Sequence, residues 1–185
     1  MAIIQIYNLN TPDGELILGS CGEMLCMCDW APEPRHGKVC NRLAKILGAE
    51  FKEVEYNTIT ACNKKTKSDN SLINKTIKEL KEYFAGKRKE FDIPLLFAGT
   101  DFQKKVWNEL LKIPYGQTVS YMDIARKIKR PTAVRAVAGA IGANPMSIIV
   151  PCHRVIASNN TLGGYAGGLK AKKQLLEREK TAAGD

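Results

Sequence analysis

The stretch that decides the fold is SYMDIARKIKRPTAVRAVAGAIGA, residues 120–143. Ser120 stands three residues before Asp123, the spacing at which two side chains cap each other's backbone N–H groups at a helix start. Ile124, Ala125 and Ile128 then line one face, and the helix ends before Pro131. Thr132 is placed to cap a further helix over 133–143. Two short helices joined by a tight turn are the helix-turn-helix layout. Just upstream, Phe102, Val106, Leu110 and Ile113 share one helical face, which stops at Pro114-Tyr115-Gly116.

Charge is concentrated around this stretch. The chain has 185 residues and a formal net charge of +9. Residues 1–99 carry 14 basic and 13 acidic side chains, whereas residues 100–185 carry 14 and 6, a net of +8. Such asymmetry points to an anionic partner for the C-terminal part, nucleic acid or a membrane surface. A solvated basic face accounts for the count equally well until a motif decides. With 44% hydrophobic residues, wholesale disorder is excluded. No stretch approaches the ~18 apolar residues of a membrane span. The start, MAIIQIYNLN, has no basic n-region of a signal peptide, so a reducing, cytoplasmic setting is expected.

The last helix of the quoted stretch is built from small residues: Ala133, Ala136, Ala138, Gly139, Ala140, Gly142 and Ala143, with Arg135 in its first turn. Each glycine inside a helix costs about 1 kcal/mol relative to alanine. Small residues admit close approach, either of another helix or of a DNA backbone. Taken alone, the composition favours the first. The lack of an Asn/Gln/Arg set argues against base reading in a major groove.

The run Ile148-Ile149-Val150-Pro151-Cys152-His153-Arg154-Val155-Ile156 brings chemistry. Its β-branched residues read as a strand that delivers Cys152 next to His153 and Arg154. Basic neighbours favour the thiolate, which is the nucleophile. On a strand, adjacent side chains point to opposite faces, so a water or a bend would have to join Cys152 to His153.

The N-terminal half reads as hairpins followed by helices. Short apolar runs at Ile4–Tyr7, Leu16–Leu18 and Met24–Trp30 are separated by Pro12-Asp13-Gly14 and Cys21-Gly22. Val39, Leu43, Ile46 and Leu47 form a helical stripe, and Leu72, Ile73, Ile77, Leu80 and Phe84 another. Phe51–Tyr56 reads as a further strand, 58–70 as an exposed loop and Phe91–Gly99 as an extended linker. Cys21, Cys26, Cys28, His36 and Cys40 contain one Cys-x-Cys and no second close pair, so core thiols are expected and no metal.

Asn144-Pro145 upstream of Pro151–Val155, Gly163–Gly168 downstream and Leu175–Glu179 beyond complete a constellation that resembles the O6-alkylguanine-DNA alkyltransferase family. The resemblance is strong from Phe102 to Glu179 and looser before. It implies an α+β chain. Residues 1–97 would form an RNase H-like antiparallel sheet with helices. Residues 98–185 would form a mostly helical, winged helix-turn-helix domain that binds DNA and carries the chemistry.

The resemblance further implies direct-reversal repair of O6-alkylguanine, and of O4-alkylthymine, in double-stranded DNA. The alkyl group would pass irreversibly to Cys152, without a cofactor, in a monomer. His153 would act on Cys152 through a water, and Glu179 would orient His153. Asn144 would hold the turn before the active-site segment. Tyr121 would hydrogen-bond the flipped base, and Arg135 would enter the vacated stack from the minor groove. Ala136 and Gly139 would lie against DNA, and Ile141, Val155, Tyr165, Ala166 and Gly167 would line the pocket. Ser147 departs from the pattern, since some members have a second proline there. A lesion-binding relative lacking the nucleophile is disfavoured by Cys152 and Glu179. A cysteine hydrolase would leave the helix-turn-helix without a purpose.

Overall fold

The computed structural model describes residues 1–31, 36–53, 71–159 and 161–183. The expected loop over 58–70, the end of the expected strand Phe51–Tyr56 and Cys62 lie wholly or partly outside them. The chain divides into two compact units, Met1–Ala98 and Gly99–Asp185.

In the first unit, strands β1 (Ala2–Thr11), β2 (Gly14–Cys21) and β3 (Met24–Trp30) form an antiparallel meander, as the two-residue turns between them require. Helix α1 (His36–Leu47) follows, then β4 (Ala49–Glu53) and α2 (Ser71–Phe84). Strand β4 runs parallel to β1, Ile4 opposite Phe51, and the sheet order is β3-β2-β1-β4. The sheet is therefore mixed, which corrects the expectation of an antiparallel one. The crossover through α1 is the cause, because a helix between two strands returns the chain in its starting direction.

Val39 and Leu43 of α1 pack on Ile4, Cys26 and Met27. Burying each large side chain of this kind stabilises by roughly 1.5–3 kcal/mol. Burial pushes the Cys26 thiol up to about 12, so it is an unreactive core residue. The expected linker is extended but tied down: Leu25 N–H donates to Pro94 O at 2.9 Å, and Leu96 N–H to Leu25 O at 2.8 Å.

The second unit begins with α3 (Asp101–Leu110), whose Thr100 and Gln103 form a capping box. Strand β5 (Val119–Ser120) leads into α4 (Tyr121–Lys127), and Ser120 and Asp123 cap it reciprocally, as expected. Helix α5 (Val134–Gly142) starts after Ala133, with no side-chain cap, so the role expected of Thr132 is not realised. One 3-10 turn (Cys152–Arg154) follows, then β6 (Val155–Ile156) and the long α6 (Gly168–Ala183).

Helices α3, α4 and α5 pack on one another around Val106, Trp107, Leu110, Ile124, Ala125 and Val137. The Trp107 indole N–H donates to Ala140 O in α5 at 2.8 Å. Its ring fills the space beside Gly99, where a Cβ would fall 2.5 Å away. Among the described residues no helix is long and apolar enough to cross a membrane.

Candidate active site

The strand expected over 148–156 forms only at Val155–Ile156. Upstream of it the chain is bent twice. Ile148 has φ 71° and is the centre of a γ-turn closed by Ile149 N–H to Ser147 O at 2.8 Å. For a β-branched residue this is a strained conformation, costing on the order of 1–3 kcal/mol. The Asn144 side chain braces the bend: its Nδ2 donates to Val150 O at 2.9 Å and Met146 O at 3.3 Å, and its Oδ1 accepts from Met146 N–H. Pro151 (φ −79°, ψ 63°) centres an inverse γ-turn, with Cys152 N–H donating to Val150 O at 2.7 Å. Cys152 and His153 thus sit on a 3-10 turn, about 120° apart around its axis, and not on opposite faces of a strand.

Helix α6 supplies the partners. Ala171, Lys172, Leu175 and Glu179 are its buried stripe. His153 Nε2 lies 2.7 Å from Glu179 Oε1, with both side chains fully buried. Arg154 forks onto the same carboxylate, Nε at 2.8 Å and Nη2 at 3.0 Å, and its Nη1 donates to Ile113 O. Gly116 N–H also donates to Glu179. Burial pushes the Glu179 carboxyl up, but His153 and Arg154 outweigh that and hold it well below the usual carboxylate range. Burial, reinforced by the Arg154 and Lys172 charges, lowers His153 despite Glu179.

His153 is therefore neutral, paired with an ionised Glu179. A carboxylate only accepts, so the Nε2 carries the proton and Nδ1 keeps its lone pair. That Nδ1 is buried with no hydrogen-bond partner among the described residues.

Lys172, which sequence reasoning missed, is fully buried and donates to Val155 O at 2.6 Å and Gly163 O at 3.2 Å. Burial lowers it, and the charge of nearby Cys152 opposes that. Its place seven residues before Glu179, hence on the same helical face, was the signal available. Arg154 was read only as a basic neighbour of the thiol, whereas it holds Glu179.

Tyr121, the first residue of α4, is raised by burial and by the charge of Cys152, which puts its hydroxyl within electrostatic reach of the thiol. A Cβ at Gly163 would lie 2.5 Å from that hydroxyl, so the glycine seats it. The pairing of β5 with β6, Val119 opposite Val155, carries Tyr121 to this place. Tyr165 stands edge-on to His153, ring centres 6.4 Å apart, followed by buried Ala166 and half-buried Gly167. Ile141 is buried at the end of α5.

Arg135, Ala136 and Gly139 belong to a different surface, the exposed face of α5. Nothing lies within 4 Å of where a Cβ would stand at Gly139 or Gly142. The glycines are not there for another helix of the unit, which removes the packing explanation that composition alone favours.

Helix-turn-helix packing joined to a buried thiol and a His–Glu couple defines a DNA-binding protein that does chemistry with a cysteine. Comparison with known proteins agrees. A family model described as 6-O-methylguanine DNA methyltransferase, DNA binding domain, matches residues 101–181, and its ribonuclease-like domain counterpart matches residues 5–97. The inducible methylated-DNA–protein-cysteine methyltransferase of Bacillus subtilis is 57% identical over 107 residues, which are 58% of this chain and 60% of that relative's length. That of Mycobacterium tuberculosis is 51% identical over 115 residues, 62% of this chain and 70% of the relative. The crystal structure of Mycobacterium tuberculosis OGT in complex with DNA matches with a TM-score of 0.74 at 35% identity, covering 97% of this chain and 94% of that one.

The chain belongs to the 6-O-methylguanine DNA methyltransferase family. Its activity is direct-reversal repair, in which an alkyl group passes from O6-alkylguanine to an active-site cysteine, once per molecule, with DNA as its partner.

Proposed function

We propose that Cys152 is the acceptor and that His153, Glu179 and Tyr121 serve it. The carrying observation is the His153–Glu179 couple, which leaves the Nδ1 lone pair of the residue next to Cys152 available to take a proton. A water between Cys152 Sγ and His153 Nδ1 takes the thiol proton and passes one to the imidazole. The Glu179 carboxylate, held in place by Arg154, balances the imidazolium charge that results. The thiolate attacks the alkyl carbon, the carbon–O6 bond breaks, and its electron pair leaves on the purine. The Tyr121 hydroxyl hydrogen-bonds the departing base as negative charge develops there. Lys172 steadies the thiolate, and Asn144 keeps the bend that presents it. Val155, Ala166 and Gly167 offer backbone to the base edge, and Ile141 and Tyr165 wall the pocket.

The substrate is duplex DNA, engaged by a monomer through the exposed face of α5. Open space over Gly139 and Gly142 supports close seating of that face in a minor groove, with Ala136 against the sugar-phosphate edge. Arg135 enters the stack that the flipped base leaves. O4-alkylthymine presents the same carbon–oxygen bond and is a second substrate.

The test is intact-protein and peptide mass after incubation with a duplex carrying either lesion. One methyl group on the Cys152 peptide, with no turnover past one equivalent, supports the reading. Repeated turnover, or a methyl on another residue, overturns it. Equal losses for Arg135→Ala on duplex and on free alkylguanine would remove the flipping role.

A further inference from the structure

We infer that the groove between α3 and α4 is a second DNA-contacting surface, which takes the phosphates of a duplex segment other than the one under α5. The inference rests on the proposed seating of α5. The groove, about 280 Å³, is lined by Lys105, Asn108 and Glu109 of α3, and by Lys127, Ile128 and Lys129 at the end of α4. Three exposed lysines face one carboxylate, and Glu109 is itself engaged by Lys112 at 2.6 Å. Ile128 is the one apolar residue among the six that line the groove, the three ammonium groups suit a phosphate backbone, and DNA is already this protein's partner.

Its direction follows from helix geometry. Trp107 points at α5, and its indole bonds Ala140. Lys105 and Glu109, two residues either side, stand about 160° from Trp107 around α3. The groove therefore opens away from α5, and a duplex seated on α5 leaves it uncovered.

Lys129 adds an independent observation. It has φ 60°. Lys129 N–H donates to Arg126 O at 2.9 Å and Arg130 N–H to Ala125 O at 2.8 Å, the double bond that ends a helix on a left-handed residue. Glycine takes that conformation without steric cost, and lysine does not. A lysine kept there at a cost to the fold fits a side chain used for its charge. Holding two segments at once lets a protein that must scan any sequence pass between duplexes without full release.

The experiment mixes two lesion-free duplexes, one carrying a donor dye and one an acceptor, with the full chain, and reads energy transfer against salt. The wild type is expected to bridge them. Lys105→Ala/Lys127→Ala/Lys129→Ala is expected to lose bridging, with the salt slope for uptake of the second duplex falling by about 3. Its single-duplex affinity and its single methyl transfer stay near wild type. Lys129→Gly is expected to melt no lower than wild type and still bridge less, an outcome a purely structural lysine would not produce. Absent bridging by the wild type, unchanged bridging in both variants, or competition by anionic vesicles stronger than by DNA would each overturn the inference. Arg135→Ala separates the two readings: if it leaves single-duplex affinity untouched, the α5 seating fails, whatever the groove variants do.

Discussion

His153 Nε2 and Glu179 Oε1 lie 2.7 Å apart with neither side chain exposed to solvent. They are 26 residues apart in sequence, one on a single 3-10 turn and the other on the last helix. The contact fixes the tautomer of the imidazole, and Arg154 keeps the carboxylate charged. Glu179→Ala leaves the Arg154 guanidinium buried without its counter-charge, and the loss is expected to be about 3–5 kcal/mol. Denaturant melts read that loss. Glu179→Gln keeps the shape and loses the charge, and its transfer rate on methylated duplex is expected to drop by roughly 10²-fold or more. A rate within a factor of two of wild type would remove Glu179 from the relay.

Stability is expected to rise with pH on the acid side. The folded-state value of His153 is lowered from 6.5, so the unfolded chain takes up a proton first as pH falls below that value. The folded-state value of Glu179 is lowered from 4.5, so its contribution is complete above 4.5 and is lost as pH falls through the folded value. In both cases the unfolded state binds more protons, which gives the same sign. Urea melts from about pH 8 to about pH 4 should show a decline starting near 6.5 and steepening below 4.5. His153→Gln should flatten the first part and leave the second. A flat profile across both would contradict the buried assignment.

Gly163 and Tyr121 should behave as one unit. A Cβ at Gly163 meets the Tyr121 hydroxyl at 2.5 Å, so Gly163→Ala must displace the ring from the thiol. The expected cost is about 1–3 kcal/mol in stability, with slower transfer. Tyr121→Phe removes the atom that clashes most. The double variant should therefore lose less than the two single losses combined, and a double-mutant cycle on transfer rates measures the coupling.

Stability and DNA affinity should part company on α5. Gly139 has open space around it, so Gly139→Ala is expected to raise stability by about 1 kcal/mol. Gly139→Leu fits the isolated protein as well, but its bulk on the exposed face should weaken duplex binding while leaving reaction with free alkylguanine intact. Calorimetry and a binding titration on the same samples decide this. Unchanged duplex affinity for the leucine variant would place DNA on another surface.

Local signals carried far in this chain. The Ser120–Asp123 box, the strand–turn–strand rhythm of residues 2–30 and the helical stripes from Val39 to Leu47 and Leu72 to Phe84 are short-range patterns, and the structure contains each of them. Pro151–Val155 and Glu179 carry the resemblance that implies the chemistry. What the sequence left open depends on distant parts of the chain.

The β-branched run before Cys152 has strand propensity, yet three hydrogen bonds of the Asn144 side chain and two γ-turns override it and coil Cys152 onto a 3-10 turn. Strand β4 joins parallel to β1 because of where α1 delivers it, which no window of neighbouring residues encodes. Lys172 reads as one more surface lysine on a basic helix until the fold places its ammonium between Val155 O and Gly163 O. The sequence by itself determined which groups could react and where helices begin. The tertiary structure alone decided which charges are buried together, because the cost of removing a charge from water is set by every element packed around it.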